Sequence, residues 1–260
     1  MKKYLKVLGI SLKNSTTYLR DFLLGNTFII LIIIIFVLLW KNIYSQNVKL
    51  NFTYKETIWY LIINEAVFFG NMNLFRRIED DIKSGNVAYH LNKPYNYPIY
   101  ILFETLGKSL LTFAVSLTFG SIVGLLLVGG FPNFKVINAI PMVIMMLLSI
   151  FLNLLIYILI SLTSFWVEEN KAFIWIYRQL VFAFGGFLIP ITLFPKTIYK
   201  LTHYMPWTYI SYHTSNSCVK FTFASFINTV CGQLAYIAFT LLAITLLFRK
   251  GAEALNVNGG

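Results

Sequence analysis

The sequence has 260 residues, of which 58% are hydrophobic, 17% aromatic and only 12% charged. Soluble domains carry charge on about a quarter of their residues, so this composition excludes an ordinary soluble protein and indicates that a lipid bilayer is the solvent. The formal net charge of +11 does not indicate nucleic-acid binding, because the lysines and arginines flank apolar segments, where they set orientation and meet anionic headgroups.

Residues 1–21 form a basic segment ahead of the first long apolar run. Leu5, Leu8 and Leu12 recur at spacings that place them on one face of a helix. We therefore expect an amphipathic helix lying on the membrane surface, although an ordinary basic flank of a spanning helix fits the same residues equally well. Residues 22–260 are predicted to form one membrane domain. Its first apolar run is expected to stay in the protein, because no small-x-small cleavage site follows it.

Six apolar stretches approach the length of about 20 residues that a helix needs to cross a bilayer. The fourth stretch is long for one crossing, so it is expected to tilt or to break near Pro141. The third is preceded by residues 99–107, which are expected to form an entry helix near the interface. The sequence thus predicts an all-α membrane protein with six spans, at about 22–40, 57–75, 108–130, 137–165, 172–193 and 225–248.

The distribution of lysine and arginine predicts how these spans are oriented, because cytosolic loops are enriched in positive charge. If the N-terminus is cytosolic, the inner segments carry twelve basic residues and the outer loops carry seven. Lys108 and Arg178 lie at or within spans and are counted on neither side. This bias favours six spans with both termini in the cytosol.

The polar segment 76–98, between the second and third predicted spans, is the most informative part of the chain. It combines basic and acidic side chains with a turn-forming Ser84-Gly85-Asn86 sequence and with two prolines, Pro94 and Pro98. In a chain that is otherwise almost entirely apolar, a structured cytosolic loop of this kind indicates contact with another protein. The segment is therefore predicted to be the surface that a soluble partner binds.

A second interruption falls between the fifth and sixth predicted spans. Gly185, Gly186, Pro190 and Pro195 follow one another closely at the outer end of the fifth span, ahead of an aromatic-rich tract that ends near Lys220. Exposed backbone at membrane depth is tolerated only where it packs against protein or water. The pattern predicts a helix that breaks and re-enters the membrane.

Two charged residues fall within predicted spans, where a charge is costly unless it faces protein or water. Glu65 lies near the middle of the second span and Arg178 within the fifth. They are interpreted either as lining a transport path or pairing across the bundle, or as anchoring contacts between helices. Near the third span, Glu104 and Lys108 are four residues apart and are expected to pair on one helical face.

The sequence shows no motif for nucleotide binding or catalysis. GxxxxGK[ST], HExxH, CxxC and GxSxG are all absent from it. Asp80 and Asp81 lack further carboxylates at metal-ligand spacing, and the two cysteines, Cys218 and Cys231, make no framework. We therefore expect that the chain is not an enzyme and binds no metal or cofactor of its own.

Three segments together resemble a known family. Residues 77–86 (RIEDDIKSGN) and 91–94 (LNKP) are similar to the segment that follows the second span in permeases of the ATP-binding-cassette type-2 exporter family. Residues 186–190 (GFLIP), 194–195 (FP) and 205–207 (MPW) resemble that family's stretch between the fifth and sixth spans. The tail at 249–252 (RKGA) resembles its usual ending. The resemblance covers nearly the whole chain.

The resemblance implies a permease subunit of an exporter, located in the plasma membrane of a bacterial-type cell. Two permeases, identical or related, would form the path, and two separate cytosolic ATPase subunits would bind the ATP and Mg²⁺. The segment after the second span would be a coupling helix, capped near 77–79 and ended by Gly85, with a second contact at Glu168 and Glu169. The implied ATPase contacts of the coupling helix are Arg77, Glu79, Asp80, Asp81, Ile82, Gly85, Leu91 and Pro94.

One alternative remains open at the level of sequence. A membrane sensor or immunity-type scaffold would bind a peptide or lipid through the aromatic outer loop and would transport nothing. Such a protein would be protected by its ligand without any dependence on ATP.

Overall fold

The computed structural model describes residues 2–17, 19–46, 50–69, 74–167 and 169–258. Within these ranges every regular element is helical and no strand occurs. The twelve α-helices are α1 (Lys2–Thr17), α2 (Leu19–Ser45), α3 (Tyr54–Phe69), α4 (Leu74–Lys83), α5 (Asn86–Leu91), α6 (Tyr97–Val128), α7 (Ala139–Ser161), α8 (Lys171–Phe184), α9 (Lys196–His203), α10 (Pro206–Ile210), α11 (Tyr212–Val219) and α12 (Phe223–Asn258). Three 3₁₀ turns are Val136–Asn138, Leu162–Phe165 and Ile191–Leu193.

Helix α3 lies at the centre of the bundle. Residues 57–68 are all buried, so this part of the helix has no face left for solvent or lipid. It contacts α2, α6, α7 and α11. Its polar side chains must therefore find their hydrogen-bond partners inside the protein, on the helices that surround it.

Two glycines bring α6 close to α3. A Cβ atom at Gly120 would lie 2.8 Å from Cγ2 of Ile62, and one at Gly124 would lie 2.7 Å from Cδ1 of the same isoleucine. Small residues four apart on one helical face allow two backbones to approach each other in a membrane bundle. Gly120 and Gly124 thus form the seam between α6 and α3.

Helices α6 and α7 are continuous where the sequence predicted a separate helix or a break. Residues 99–107 are not a separate entry helix, because α6 runs unbroken from Tyr97, where the Asn96 side chain accepts a hydrogen bond from the amide of Ile99 at 3.2 Å. Helix α7 does not break at Pro141, because this proline lies in the first helical turn, where its missing N–H is not needed.

Three helical segments are long and apolar enough to cross a membrane: Tyr97–Val128, Val136–Phe165 and Phe223–Glu253. The segment Ile30–Ser45 of α2 is a shorter apolar helix. These segments establish an all-helical membrane protein that crosses the bilayer more than once. The second and fifth predicted spans correspond to α3 and α8, with 16 and 14 residues, which are shorter than a full crossing requires.

Helix α8 ends at Phe184, nine residues before the predicted end of the fifth span, because the chain turns at Gly185 and Gly186. Gly186 has a φ angle of 78°, a left-handed conformation that glycine adopts without strain. Short helices α9, α10 and α11 follow in place of a continued span. The break therefore occurs where the glycines and prolines of the sequence indicated it.

The polar groups released by this break are bound by α3. The carbonyl of Gly186 accepts hydrogen bonds from the Tyr60 hydroxyl and, at 3.4 Å, from the Asn64 amide nitrogen, which also reaches the carbonyl of Phe187 at 3.3 Å. The amide oxygen of Asn64 accepts from the hydroxyls of Ser211, at 3.0 Å, and Ser215, at 2.6 Å. Asn64 thus joins the central helix to both sides of the interruption.

Both ends of the described chain lie at the same end of the bundle. The ammonium group of Lys3 donates to the carbonyl of Pro94, and the ring of Phe248 stacks on Tyr97 at a centroid distance of 6.0 Å. Helix α1 packs along α6, where the Ser11 hydroxyl donates to the carbonyl of Glu104. The end of the bundle that carries α4 and α5 therefore also carries the N-terminal helix and the last turns of α12.

The hydrogen bonds of Asn64 predict a specific loss of stability. Asn64→Ala removes the amide that bridges the break, so we expect the free energy of unfolding to fall by about 1–3 kcal/mol. Chemical unfolding in mixed micelles measures this change. Asn42→Ala, the same substitution at an exposed position of α2, is the control and should change it little. Equal losses for both variants would contradict the bridging role.

Candidate functional site

The candidate site is the helix pair α4–α5 with the connection to α6, which we call the island (residues 74–96). Helix α4 begins at Leu74, earlier than the cap expected at 77–79, and ends at Lys83. Its apolar side faces the bundle: Ile78 is fully buried and Ile82 is 8% exposed, and the helix packs against α7 and the 162–165 turn. The island is therefore seated on the membrane helices along one face only.

Charged side chains tie α4 to the start of α6. Arg77 forms an ion pair with Glu104, and its Nε lies 3.9 Å from Oδ2 of Asp81. That same oxygen accepts a hydrogen bond of 2.7 Å from the Tyr97 hydroxyl. Arg77 and Asp81 thus hold the island in a fixed position relative to α6, although Arg77 also remains half exposed.

A second ion pair lies within α4. The Lys83 ammonium donates to Oε1 of Glu79 at 2.7 Å, and the Glu79 side chain is almost fully buried. This hydrogen bond raises the pKa of Lys83, and the nearby negative charges of Glu169 and Asp80 raise it further. Glu79 therefore faces the bundle and stabilises the positive charge of Lys83, which is itself exposed.

A left-handed residue sets the angle between the two island helices. The Ser84 amide and hydroxyl both donate to the carbonyl of Asp80, which closes α4. Gly85 then adopts a φ angle of 74°, and its carbonyl accepts from the amide of Ala88 to start α5. A side chain at Gly85 would meet open space, so the conformation alone requires glycine here.

The outer face of the island carries a compact exposed surface, which we call the rim. Tyr89 is its largest apolar member at 63% exposed, and the Lys93 ammonium lies 4.3 Å from the centre of its ring. Leu91 is half buried. Val87, the second residue of α5, is fully buried and anchors this helix. The rim consists of Asp80, Gly85, Ala88, Tyr89, Lys93 and Pro94.

The N-terminal helix supports the island from the side. The Tyr4 hydroxyl accepts a hydrogen bond from the Asn96 amide at 2.9 Å, and the Tyr4 ring lies 5.7 Å from that of Phe103. Gly107 allows this approach, because a Cβ atom there would lie 2.7 Å from the Ser11 hydroxyl oxygen. Helix α1 thus rests against α6 and the island rather than only flanking the first span.

The second predicted contact lies close to the first. Glu168 is outside the residues that the structure describes. Glu169 is exposed, lies 3.5 Å from the Lys171 ammonium, and contributes to the field at Lys83 in α4. Asn170 fixes the loop by donating to the Ser164 hydroxyl at 2.7 Å. The structure therefore brings this loop and the island to the same end of the molecule.

Glu65 and Arg178 have different surroundings. Glu65 is 2% exposed and lines a cavity between α2, α3 and α8, and its Oε2 atom has no hydrogen-bond partner among the described residues. The Nε atom of Arg178 donates to the Tyr157 hydroxyl at 3.2 Å, and the guanidinium lies 5.9 Å from that ring. Arg178 thus anchors α8 to α7, whereas Glu65 is buried beside a cavity whose accessible surface is apolar.

Ala88 and Tyr89 belong to the exposed surface but were not predicted from the sequence. Glu79 and Ile82 were predicted as partner contacts, but both side chains face the bundle. The helical periodicity of α4 indicates which side faces the bundle. Ile78 and Ile82 define its apolar side, and the acidic residue at position 80 lies on the other side. The exposure of Tyr89 depends on a second helix, which starts at position 86. The resemblance implied only a single coupling helix.

These features define a helical membrane protein with a rigid polar platform at one end. The chain matches the family model of the ABC-2 family transporter proteins over residues 6–259, and it belongs to that family. No individual curated protein matches it at a significant level. The family resemblance drawn from the sequence is thereby confirmed, and membership supports a permease role in a membrane, with association to ATP-binding subunits.

The turn between the island helices can be tested by two substitutions at one position. Gly85→Val places a β-branched residue at a positive φ angle, which costs about 1–2 kcal/mol, whereas Gly85→Asn is tolerated better because asparagine visits this region. Valine should therefore speed hydrogen exchange of the Ser84 and Ala88 amides about 5–30-fold. Equal exchange in the two variants would show that the turn does not depend on the φ angle.

Proposed function

We propose that this chain is the transmembrane permease of an exporter, forming the translocation path with a second permease and driven by separate cytosolic ATPase subunits. ATP and Mg²⁺ are bound by those subunits. The observation that carries the proposal is the island: one face is locked to the membrane helices, and the other offers an exposed rim at the end that holds both chain ends. Family membership supports the same role.

The island has the mechanical properties that coupling needs. Arg77 and Asp81 fix it to α6, Ile78 and Ile82 fix it to α7, and Pro94 fixes it to α1. A force applied to the rim is therefore transmitted to α6, α7 and α1 together, because packed or bonded side chains, rather than flexible linkers, join the island to each of them. Closure of the ATPase subunits would then move the helices together between two states of the bundle.

The orientation is inferred from the positive charges near the island. Lys3 reaches the island directly, Lys83 and Lys93 lie on it, and Lys171 begins α8 next to the neighbouring loop. Loops rich in lysine and arginine stay in the cytosol. We therefore assign the island end and both termini to the cytosolic side of a bacterial-type cell membrane, with α1 lying along the inner leaflet.

The aromatic outer segment supports the competing sensor function less well. The rings of Tyr209 and His213 stack at 4.4 Å, those of His203 and His213 lie 4.7 Å apart, and the His203 carbonyl lies 2.8 Å from Nε2 of His213. These side chains are engaged with one another rather than displayed to a ligand. Their arrangement fits packing around the break better than peptide recognition.

Tyr89 provides the test of the docking role. We expect Tyr89→Ala to weaken binding of the copurifying ATPase subunit at least about tenfold, because exposed aromatic residues that fill a partner's pocket dominate interfaces. Binding is measured by titrating the purified subunit onto the permease in nanodiscs. Tyr204→Ala is the matched control, since Tyr204 is 67% exposed and belongs to the break segment rather than to the island.

The control variant should bind the subunit as the native chain does. Unchanged affinity in Tyr89→Ala would overturn the docking role of the rim. Loss of affinity in both variants would indicate a general effect on the bundle and would equally count against a specific contact at the rim.

A further inference from the structure

Two histidines lie against each other in the segment between α8 and α12. His203 is the last residue of α9 and His213 belongs to α11, and the centroids of their rings are 4.7 Å apart. Nε2 of His213 donates a hydrogen bond of 2.8 Å to the carbonyl of His203. The pair therefore joins the two helices by a ring contact and by a hydrogen bond, and we call it the latch.

The hydrogen bonds that hold the end of α9 converge on one turn. The Thr208 hydroxyl lies 3.0 Å from the carbonyl of Thr202 and 3.2 Å from the carbonyl of His203. The Tyr236 hydroxyl, on α12, donates to the carbonyl of Tyr204. A displacement of His203 would therefore disturb the whole turn, because each of these bonds ends on a backbone carbonyl next to it.

Tyrosine rings enclose the latch. Tyr209 stacks on His213 at 4.4 Å, and Tyr199 lies 5.0 Å from His203. A tyrosine hydroxyl is neutral at and below neutral pH, so these rings bring no negative charge to the imidazoles. The tyrosines in contact with the latch or with its neighbouring rings are Tyr199, Tyr204, Tyr209, Tyr212 and Tyr236.

The helices packed around the latch supply no acid that balances a charge on it. Helices α9, α10 and α11 contain no Asp or Glu, and α7 and the turn Ile191–Leu193 contain no charged residue. Among the described residues, no carboxylate acts on the pKa of either imidazole. The charged residues of the remaining packed helices are Lys55, Glu56 and Glu65 on α3, Lys171 and Arg178 on α8, Lys196 and Lys200 on α9, and Arg249, Lys250 and Glu253 on α12.

Burial favours the neutral form of both imidazoles. Desolvation lowers the pKa of His203 and lowers that of His213 to about 4, where the hydrogen bond to the His203 carbonyl offsets part of the change and the neighbouring imidazole adds to it. Nδ1 of His203 is buried and has no hydrogen-bond partner among the described residues, so a proton added there finds no acceptor. Helices α9 and α11 lie outside the segments that are long enough to cross a membrane.

We propose that the latch is an acid-sensitive device: protonation of His203 and His213 separates α9 from α11 and loosens the segment 196–219. An imidazole released to water regains its ordinary pKa of about 6.5. The closed latch is therefore stable above that pH and is lost progressively as the pH falls towards 4. The further statements that the acid comes from outside the cell and that the opening regulates export rest on the proposed function.

The test is hydrogen exchange, measured by mass spectrometry on the full chain in nanodiscs without ATPase, at roughly pH 7.5 and roughly pH 5, on either side of the ordinary histidine pKa. The amides of Thr208 and Tyr212 report the opening, because they donate to the carbonyls of Met205 and Gly185. After correction for the intrinsic exchange rate, their protection in the native chain should fall at least about tenfold at the lower pH, since the open state takes up the protons.

Three variants separate the latch from a general effect of acid. His213→Gln removes the titrating group but keeps an N–H donor for the His203 carbonyl, so its protection should be nearly equal at the two pH values. His203→Phe keeps the ring contacts and removes the unpartnered nitrogen, so it should also respond less than the native chain. His90→Gln changes the third histidine, which lies on the island, and as the matched control should respond as the native chain does.

A response of His213→Gln equal to that of the native chain would overturn the latch. If that variant does not fold, an unreduced response of His203→Phe overturns it instead. Loss of protection in α7 together with the segment would indicate general unfolding and would equally count against the latch. Each failure leaves the permease function standing, because no ATPase takes part. Opening as expected, with ATP hydrolysis by the reconstituted complex unaffected by acid on the side opposite the ATPase, would overturn the regulatory role and leave the latch.

Discussion

The break after α8 imposes the central constraint on this fold. A helix that stops inside an apolar bundle exposes carbonyl groups that lipid cannot satisfy, so protein donors must reach them. Tyr60 and Asn64 supply those donors from α3, and both are buried. Because α3 is committed to this task, it must sit at the centre of the bundle, and α2, α6, α7 and α11 arrange themselves around it.

The same central helix relates the two ends of the molecule. Asn64 engages the broken segment, and α7, which contacts α3, also contacts α4 of the island. A movement of the island would therefore reach, through α7, the central helix that holds the break. This arrangement provides a physical route, through packed helices, between the surface proposed for the ATPase and the centre of the bundle.

Composition and glycine placement allowed much of the fold to be predicted. The all-helical class, the break at Gly185 and the location of the island were predicted from the sequence, and family membership was confirmed. The lengths of the helices were harder to predict. The residues beyond Phe184 are still apolar, so hydropathy does not show that the helix ends at the turn formed by Gly185 and Gly186. The inward direction of Glu79 agrees with the helical periodicity of Ile78 and Ile82, whereas the exposure of Tyr89 depends on how the separate helix α5 is docked, which no local pattern reports.

The most direct test of the central claim is a site-specific cross-link in the native membrane. A photoreactive amino acid at the exposed position 88 of α5, compared with one at the exposed position 223 of α12, reports which proteins touch each end. The permease account predicts an ATP-binding subunit cross-linked from position 88 and not from 223. No ATP-binding subunit at position 88, or the same subunit at both positions, would contradict it.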